Sequence, residues 1–139
     1  MNIEPLNIND YDQLIVLWQN CALPFDAEDR DSRAAIERQV LDDNIDLLVM
    51  KSDGRIIGSV IASTDGRKGW INRLAVDPDS RGHRLAARLL EKAEELLTER
   101  GIKIIAALIE NENYPSMAAF KFCGYEGWDK IVYFRKKLP

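Results

Sequence analysis

The stretch Trp70-Ile71-Asn72-Arg73-Leu74-Ala75-Val76-Asp77-Pro78-Asp79-Ser80-Arg81-Gly82-His83-Arg84-Leu85-Ala86-Ala87-Arg88 changes character twice. An apolar strand from Ile71 to Val76 stops at Asp77-Pro78, a basic turn containing Gly82 follows, and from about Arg84 the spacing becomes helical. Strand, turn and helix start together make an anion site. Unpaired N–H groups at a helix start carry partial positive charge. Arg81, His83, Arg84 and Arg88 add to it, with no acidic residue between Asp79 and Glu91. The expected ligand bears phosphate.

Downstream, a helix is expected from about Arg84 to Arg100. Leu85, Leu89, Leu90, Ala93, Leu96 and Leu97 form one apolar stripe, and Gly101 sits where a left-handed cap would need it. Ile102 to Ile109 is almost uninterruptedly apolar, the pattern of a strand buried on both faces. Strand, helix and strand imply a crossover with parallel neighbours. Pro115 suits the first turn of a further helix carrying Met117, Ala118 and Phe120 and ended by Gly124. Tyr125 to Trp128 and Ile131 to Arg135 are expected to close the chain as a strand pair.

Upstream, Asp46 to Lys51 and Ile56 to Ser63 flank an Asp53-Gly54 turn and read as a hairpin. A second turn at Asp65-Gly66 makes residues 46 to 76 an antiparallel meander. Before it come a short strand with Ile3, Leu6 and Ile8, a helix with Leu14, Ile15, Leu17 and Trp18, an acidic loop, and a helix near Ser32 to Leu41. The loop carries Asp26, Glu28, Asp29 and Asp31.

The chain has 139 residues, 46% hydrophobic and 30% charged, which fits one soluble globular domain over 1–139. No apolar run reaches the roughly 18 residues of a membrane span and no signal-peptide pattern opens the chain, so a cytoplasmic protein with no membrane partner is expected. Cys21, Cys123 and the single His83 match no disulfide framework or metal spacing, so no metal site is expected. A net charge of −4 argues against broad nucleic-acid binding. The charge is uneven: residues 1–70 carry 7 basic and 13 acidic side chains, residues 71–139 carry 12 and 10.

In this order of elements the chain resembles the GNAT (Gcn5-related N-acetyltransferase) family from end to end. Three stretches carry the likeness. Leu74-Ala75-Val76-Asp77-Pro78 is similar to the strand that ends at the ligand. Arg81-Gly82-His83-Arg84-Leu85-Ala86 is similar to the R/Q-x-x-G-x-G/A pyrophosphate loop, and Asn113 through Phe120 to Gly124-Tyr125 to the N-x-x-A-x-x-x-Y-x-x-x-G-F/Y segment. The resemblance implies an α/β (α+β) acyl-CoA N-acyltransferase fold, a mixed sheet of six to seven strands flanked by about four helices. It also implies acetyl-CoA as cosubstrate. The backbone of Arg81, Gly82, His83, Arg84, Leu85 and Ala86 would hold its pyrophosphate, Leu74, Ala75 and Val76 its pantetheine arm, with Asn113 and Phe120 beside it. Arg84 stands where the family has glycine; it is expected to adopt a backbone open to any residue, with its side chain swung outwards.

The implied reaction is acetyl transfer to a primary amine of a small molecule or protein by direct attack in a ternary complex. An amine of pKa near 10.4 is about 3.4 units from neutral at pH 7, or about 4.6 kcal/mol; a leaving thiol near 8.5 is only about 2 kcal/mol away. Losing the general acid should therefore hurt less than losing the base. The family's acid, a tyrosine, aligns with Phe120, which has no proton to give. Either the thiolate leaves without direct protonation, or Tyr114, Tyr125 or Tyr133 donates, or the protein binds acetyl-CoA without efficient transfer, as a CoA-binding sensor or interaction module would. Glu110 is the first candidate base, with Glu28 or Asp29 of the acidic loop behind it and nearer the acceptor. The family's habit of pairing through its last strands makes a homodimer a further expectation.

Overall fold

The computed structural model describes residues 1–139. Five strands lie side by side in chain order: β1 (Asn2–Pro5), β2 (Ile45–Ser52), β3 (Arg55–Thr64), β4 (Gly69–Val76) and β5 (Ile105–Ala107). The first four are antiparallel and β5 joins β4 in parallel. Between β1 and β2 come α1 (Tyr11–Asn20) and α2 (Arg33–Leu41), α3 (Leu85–Glu99) links β4 to β5, and α4 (Tyr114–Phe122) follows.

The strand period of two sends neighbouring residues of β2 to opposite faces, and both faces are apolar. Leu48 and Met50 join Ile57, Val60, Ile71, Leu74 and Val76 beneath α3, while Leu47 and Val49 join Ile56, Ile61 and Ala75 beneath α1 and α2. This is why β2 and β3 read as unbroken apolar runs rather than alternating ones. On α3 the expected stripe is buried at Leu85, Leu89, Leu90, Ala93 and Leu97, each worth roughly 1 to 3 kcal/mol of burial. The helix rests so close to the sheet that a Cβ on Gly58 would come within 2.9 Å of Leu89 Cδ1.

Local signals account for the joins. The β2–β3 hairpin turns through Asp53 and Gly54 at φ 52° and 77°, the two positive values of a type I′ turn. Ser32 caps α2 through Oγ, which accepts from Ala35 N at 3.1 Å. Gly101, at φ +81°, follows α3.

The sheet has five strands, not six or seven, and the difference lies after α3. β5 is three residues long and forms an edge, with Ile104 and Leu108 more than half exposed, so the expectation of a strand buried on both faces over Ile102–Ile109 fails. The cause is a bulge in β4. Pairing to β3 runs Ser59 to Ala75 and then Ile61 to Asn72, which sets Arg73 and Leu74 together against Val60. Pairing to β5 stops at Ile71, just before it. A bulge bends and twists its strand, and here it parts the end of β4 from β5. The expected strand pair at Tyr125–Trp128 and Ile131–Arg135 does not form either. Trp128, Ile131, Val132, Tyr133 and Phe134 are exposed, and strands persist only where a partner takes their N–H and C=O groups.

Candidate active site

Where β4 parts from β5, its backbone faces an open cleft. Asp77 N donates to Ile57 O at 2.8 Å, so the Gly58–Val76 pair between them is the non-hydrogen-bonded kind. The N–H and C=O of Val76 consequently point away from β3, on the side that β5 does not reach. Val76 O accepts from Arg81 Nε at 3.0 Å and from Cys21 Sγ at 3.3 Å. Cys21 is half-buried. Burial pushes its thiol up, Arg81 opposing, so it stays a protonated donor.

The turn after β4 is held from below by Asp77, which is 6% exposed. Its Oδ1 accepts from Asp79 N at 3.0 Å and its Oδ2 from Arg55 Nη1 at 2.9 Å. Gly82, at φ +100°, has no atom within 4 Å of where a Cβ would lie, and only glycine adopts that geometry without strain. The first bond of α3 is Arg88 N to Arg84 O at 3.1 Å, and Arg84 supplies no side-chain cap. The N–H groups of Leu85, Ala86 and Ala87 therefore have no acceptor within the helix, and with Arg81 beside them they suit an oxyanion pair such as pyrophosphate.

Arg84 differs from the expectation. It sits in the left-handed region at φ 57°, ψ 28°, the conformation a glycine there would favour, and its guanidinium lies 5.1 Å from the Phe122 ring centroid. The chain keeps the glycine geometry and bears the strain, because the strand-to-helix reversal must be completed at that residue.

The cleft measures about 180 Å³. Of the predicted residues it brings together Leu74, Ala75, Val76, Arg81, Gly82, Arg84, Leu85, Ala86 and Asn113. Asn113 also caps α4, its Oδ1 accepting from Ser116 N at 3.3 Å. His83 is exposed and outside the lining. Phe120 is outside as well: 5% exposed, it packs in the core with its ring 4.9 Å from that of Tyr125, edge to face. Glu110, Tyr114, Glu28 and Asp29 are exposed and line no part of the cleft. Tyr125 points the other way, its hydroxyl donating to Glu94 Oε2 at 2.7 Å. Tyr133 is exposed in the tail.

Cys21, Leu23, Pro115, Ser116 and Ala119 complete the wall and were not expected in the site from the sequence. For two of the three on α4 a signal existed: Ser116 and Ala119 follow Asn113 at helical spacing, so one helix face presents them together. Cys21 and Leu23 carried no such signal, because they arrive from the far end of α1 by tertiary packing.

The strand, the uncapped helix start and the cleft between them match a family whose model, described as the acetyltransferase (GNAT) family, covers residues 12–125. The chain belongs to the GNAT acetyltransferase family, and acyl transfer is the chemistry that its relatives carry. An acetyltransferase of Pectobacterium atrosepticum is 32% identical over 134 residues, 95% of this chain and 92% of that one. Among solved structures, the apo aminoglycoside antibiotic 6'-N-acetyltransferase AAC(6')-IG of Acinetobacter haemolyticus superposes with a TM-score of 0.79 at 23% identity, covering all of both chains. A predicted acetyltransferase of Clostridium acetobutylicum, solved with acetyl-CoA, gives 0.76 at 18% identity over 96% of this chain and 95% of that one. At those identities the structural likeness speaks to the fold.

Proposed function

We propose that the protein is an N-acetyltransferase that moves an acetyl group from acetyl-CoA to a primary amine by direct attack in a ternary complex. One observation carries the reading: the free N–H of Val76 faces the cleft a few residues before the uncapped start of α3. The amides of Leu85 to Ala87, with Arg81, are the groups to hold the pyrophosphate. Leu74 to Val76 are the strand to pair the pantetheine arm, and Val76 N–H is the donor to polarise the thioester carbonyl. Asn113 and Ser116 offer polar side chains on the opposite wall. Bound acetyl-CoA supplies an activated acyl carbon; the chain supplies placement, and holding two reactants in attack geometry replaces a bimolecular encounter.

The acceptor approaches from the side of the α1–α2 loop, whose Leu23 lines the cleft and whose Glu28 and Asp29 are exposed. No carboxylate, histidine or tyrosine lines the cleft, so the amine proton leaves through water to Glu110 or to the loop acids. Thiolate departure needs the smaller correction of the two proton steps, and Tyr114, exposed at the start of α4, is the nearest tyrosine along the chain to the cleft wall. Two copies pairing through the exposed segment after Tyr125 belong to the same reading.

A panel of amines incubated with acetyl-CoA, following acceptor-dependent CoA release, tests the proposal. Acetyl-CoA that raises thermal stability while no amine releases CoA would reject it. The second reading, a CoA-binding sensor or interaction module, is favoured by one feature: Phe120 occupies the family's acid position and is buried in the core. It predicts tight CoA binding with no turnover.

A further inference from the structure

The loop between α1 and α2 is tied to the one residue of β4 that leaves strand geometry. Arg73 stands at φ 54° in the bulge, a left-handed conformation that costs a side-chain-bearing residue roughly 1 kcal/mol. Its backbone is held by Ser59, whose fully buried Oγ donates to Arg73 O at 2.8 Å and accepts from Trp18 Nε1 at 3.0 Å. The side chain folds over Trp18, with the guanidinium carbon 4.8 Å from the ring centroid. From there it donates to Asp31 Oδ2 at 3.3 Å and to Pro24 O. The same Asp31 oxygen accepts from Asp26 N at 2.9 Å, and Asp31 is 5% exposed. One guanidinium and one carboxylate thus grip both ends of the loop.

That grip adjoins the cleft through both of its segments: Leu23, one residue before Pro24, and Leu74, one residue after Arg73, both line it. Burial, the largest influence, pulls the guanidinium below its ordinary value, with Asp31 the main group that opposes this, so the buried cation depends on its partner. We infer that Arg73 and Asp31 are positioning residues for the acceptor, their ion pair fixing the 23–32 loop at the distance from β4 that an attacking amine requires. This rests on the amine-transfer reading above. The pair touches neither reactant; it acts through Leu23 and the loop.

The test compares wild type with Arg73→Gln, Asp31→Asn, the double variant and Arg73→Lys. Lysine keeps the charge but cannot stack and reach two acceptors at once. Once an acceptor is found, each single variant is expected to raise its KM by about tenfold and the double variant no further, with acetyl-CoA affinity within about twofold of wild type. A folded variant with unchanged acceptor KM, or one losing acetyl-CoA affinity in equal measure, overturns the inference. Amide exchange over residues 23–32 separates its failure from that of the parent reading. Should wild type bind acetyl-CoA yet acetylate no amine, that reading falls and exchange decides the clamp. Exchange faster by about tenfold in Arg73→Lys supports it, and unchanged exchange overturns it. If the glutamine variant does not fold, the lysine variant carries the same comparison.

Discussion

The hydroxyl of Tyr125 donates to Glu94 Oε2 at 2.7 Å and ties the end of α4 to the outer side of α3. Burial first, and then this bond, pushes the Tyr125 hydroxyl far above its ordinary value of 10.0. It is an anchor, not a proton donor to the cleft. Tyr125→Phe is expected to cost about 1 kcal/mol of stability by denaturation while leaving turnover within about twofold. The sign of the alkaline effect follows: below pH 10 the phenol is neutral folded or unfolded, and its contribution is complete. Above it the unfolded chain ionises and the folded one does not, so stability falls as pH rises. Unfolding curves from pH 9 to 11 should show a steeper loss for wild type than for Tyr125→Phe.

Arg84 holds the left-handed geometry of a glycine and stacks on Phe122. Arg84→Gly removes strain as well as contact, whereas Arg84→Ala removes the contact and keeps the strain. The alanine variant should be less stable than the glycine variant by about 1 kcal/mol, read from denaturant midpoints.

Gly58 lies under α3, where a Cβ would meet Ala75 O at 3.2 Å and Leu89 Cδ1 at 2.9 Å. Leu89 can shift but the backbone oxygen of β4 cannot shift freely. Gly58→Ala should cost about 1 to 3 kcal/mol and weaken acetyl-CoA binding as well, because the displaced strand is the one that carries Val76. A thermal melt with and without acetyl-CoA checks both.

Arg81 reaches back to Val76 O and stands beside the uncapped start of α3. Arg81→Ala is expected to weaken acetyl-CoA binding by about tenfold and to reduce its salt dependence, since one charge near the phosphates is lost. Calorimetric titration at two ionic strengths measures it.

The exposed apolar run Ile131 to Phe134 and the short edge strand β5 supply unpaired backbone for a second copy. Wild type is expected to sediment at twice the monomer mass, and Val132→Lys at the monomer mass. A wild-type monomer at all concentrations would remove the dimer from the proposal.

The elements from β1 to α3 were legible in the sequence because their signals are local. Asp53-Gly54 encodes its own turn, Ser32 its own cap, and the stripe from Leu85 to Leu97 its own helix. The strand-turn-helix stretch from Trp70 to Arg88 announced the uncapped helix start after β4 for the same reason. After α3 the reading weakened. The apolar run Ile102 to Ile109 signals a strand, but how much of it pairs depends on β4, which the bulge at Arg73 carries away.

What the sequence by itself determined was the order of elements, the α/β class and the place of the turn proposed to hold phosphate, since hydrophobic period, turn residues and helix starts act within a few residues of one another. What only the tertiary structure decided was the far wall of the cleft. Cys21 and Leu23 meet Val76 across the fold, Arg73 meets Asp31 across 42 positions, and Phe120 turns into the core rather than toward the cleft. Contacts between distant segments are set by how helices pack on a bent strand, and no local pattern records that.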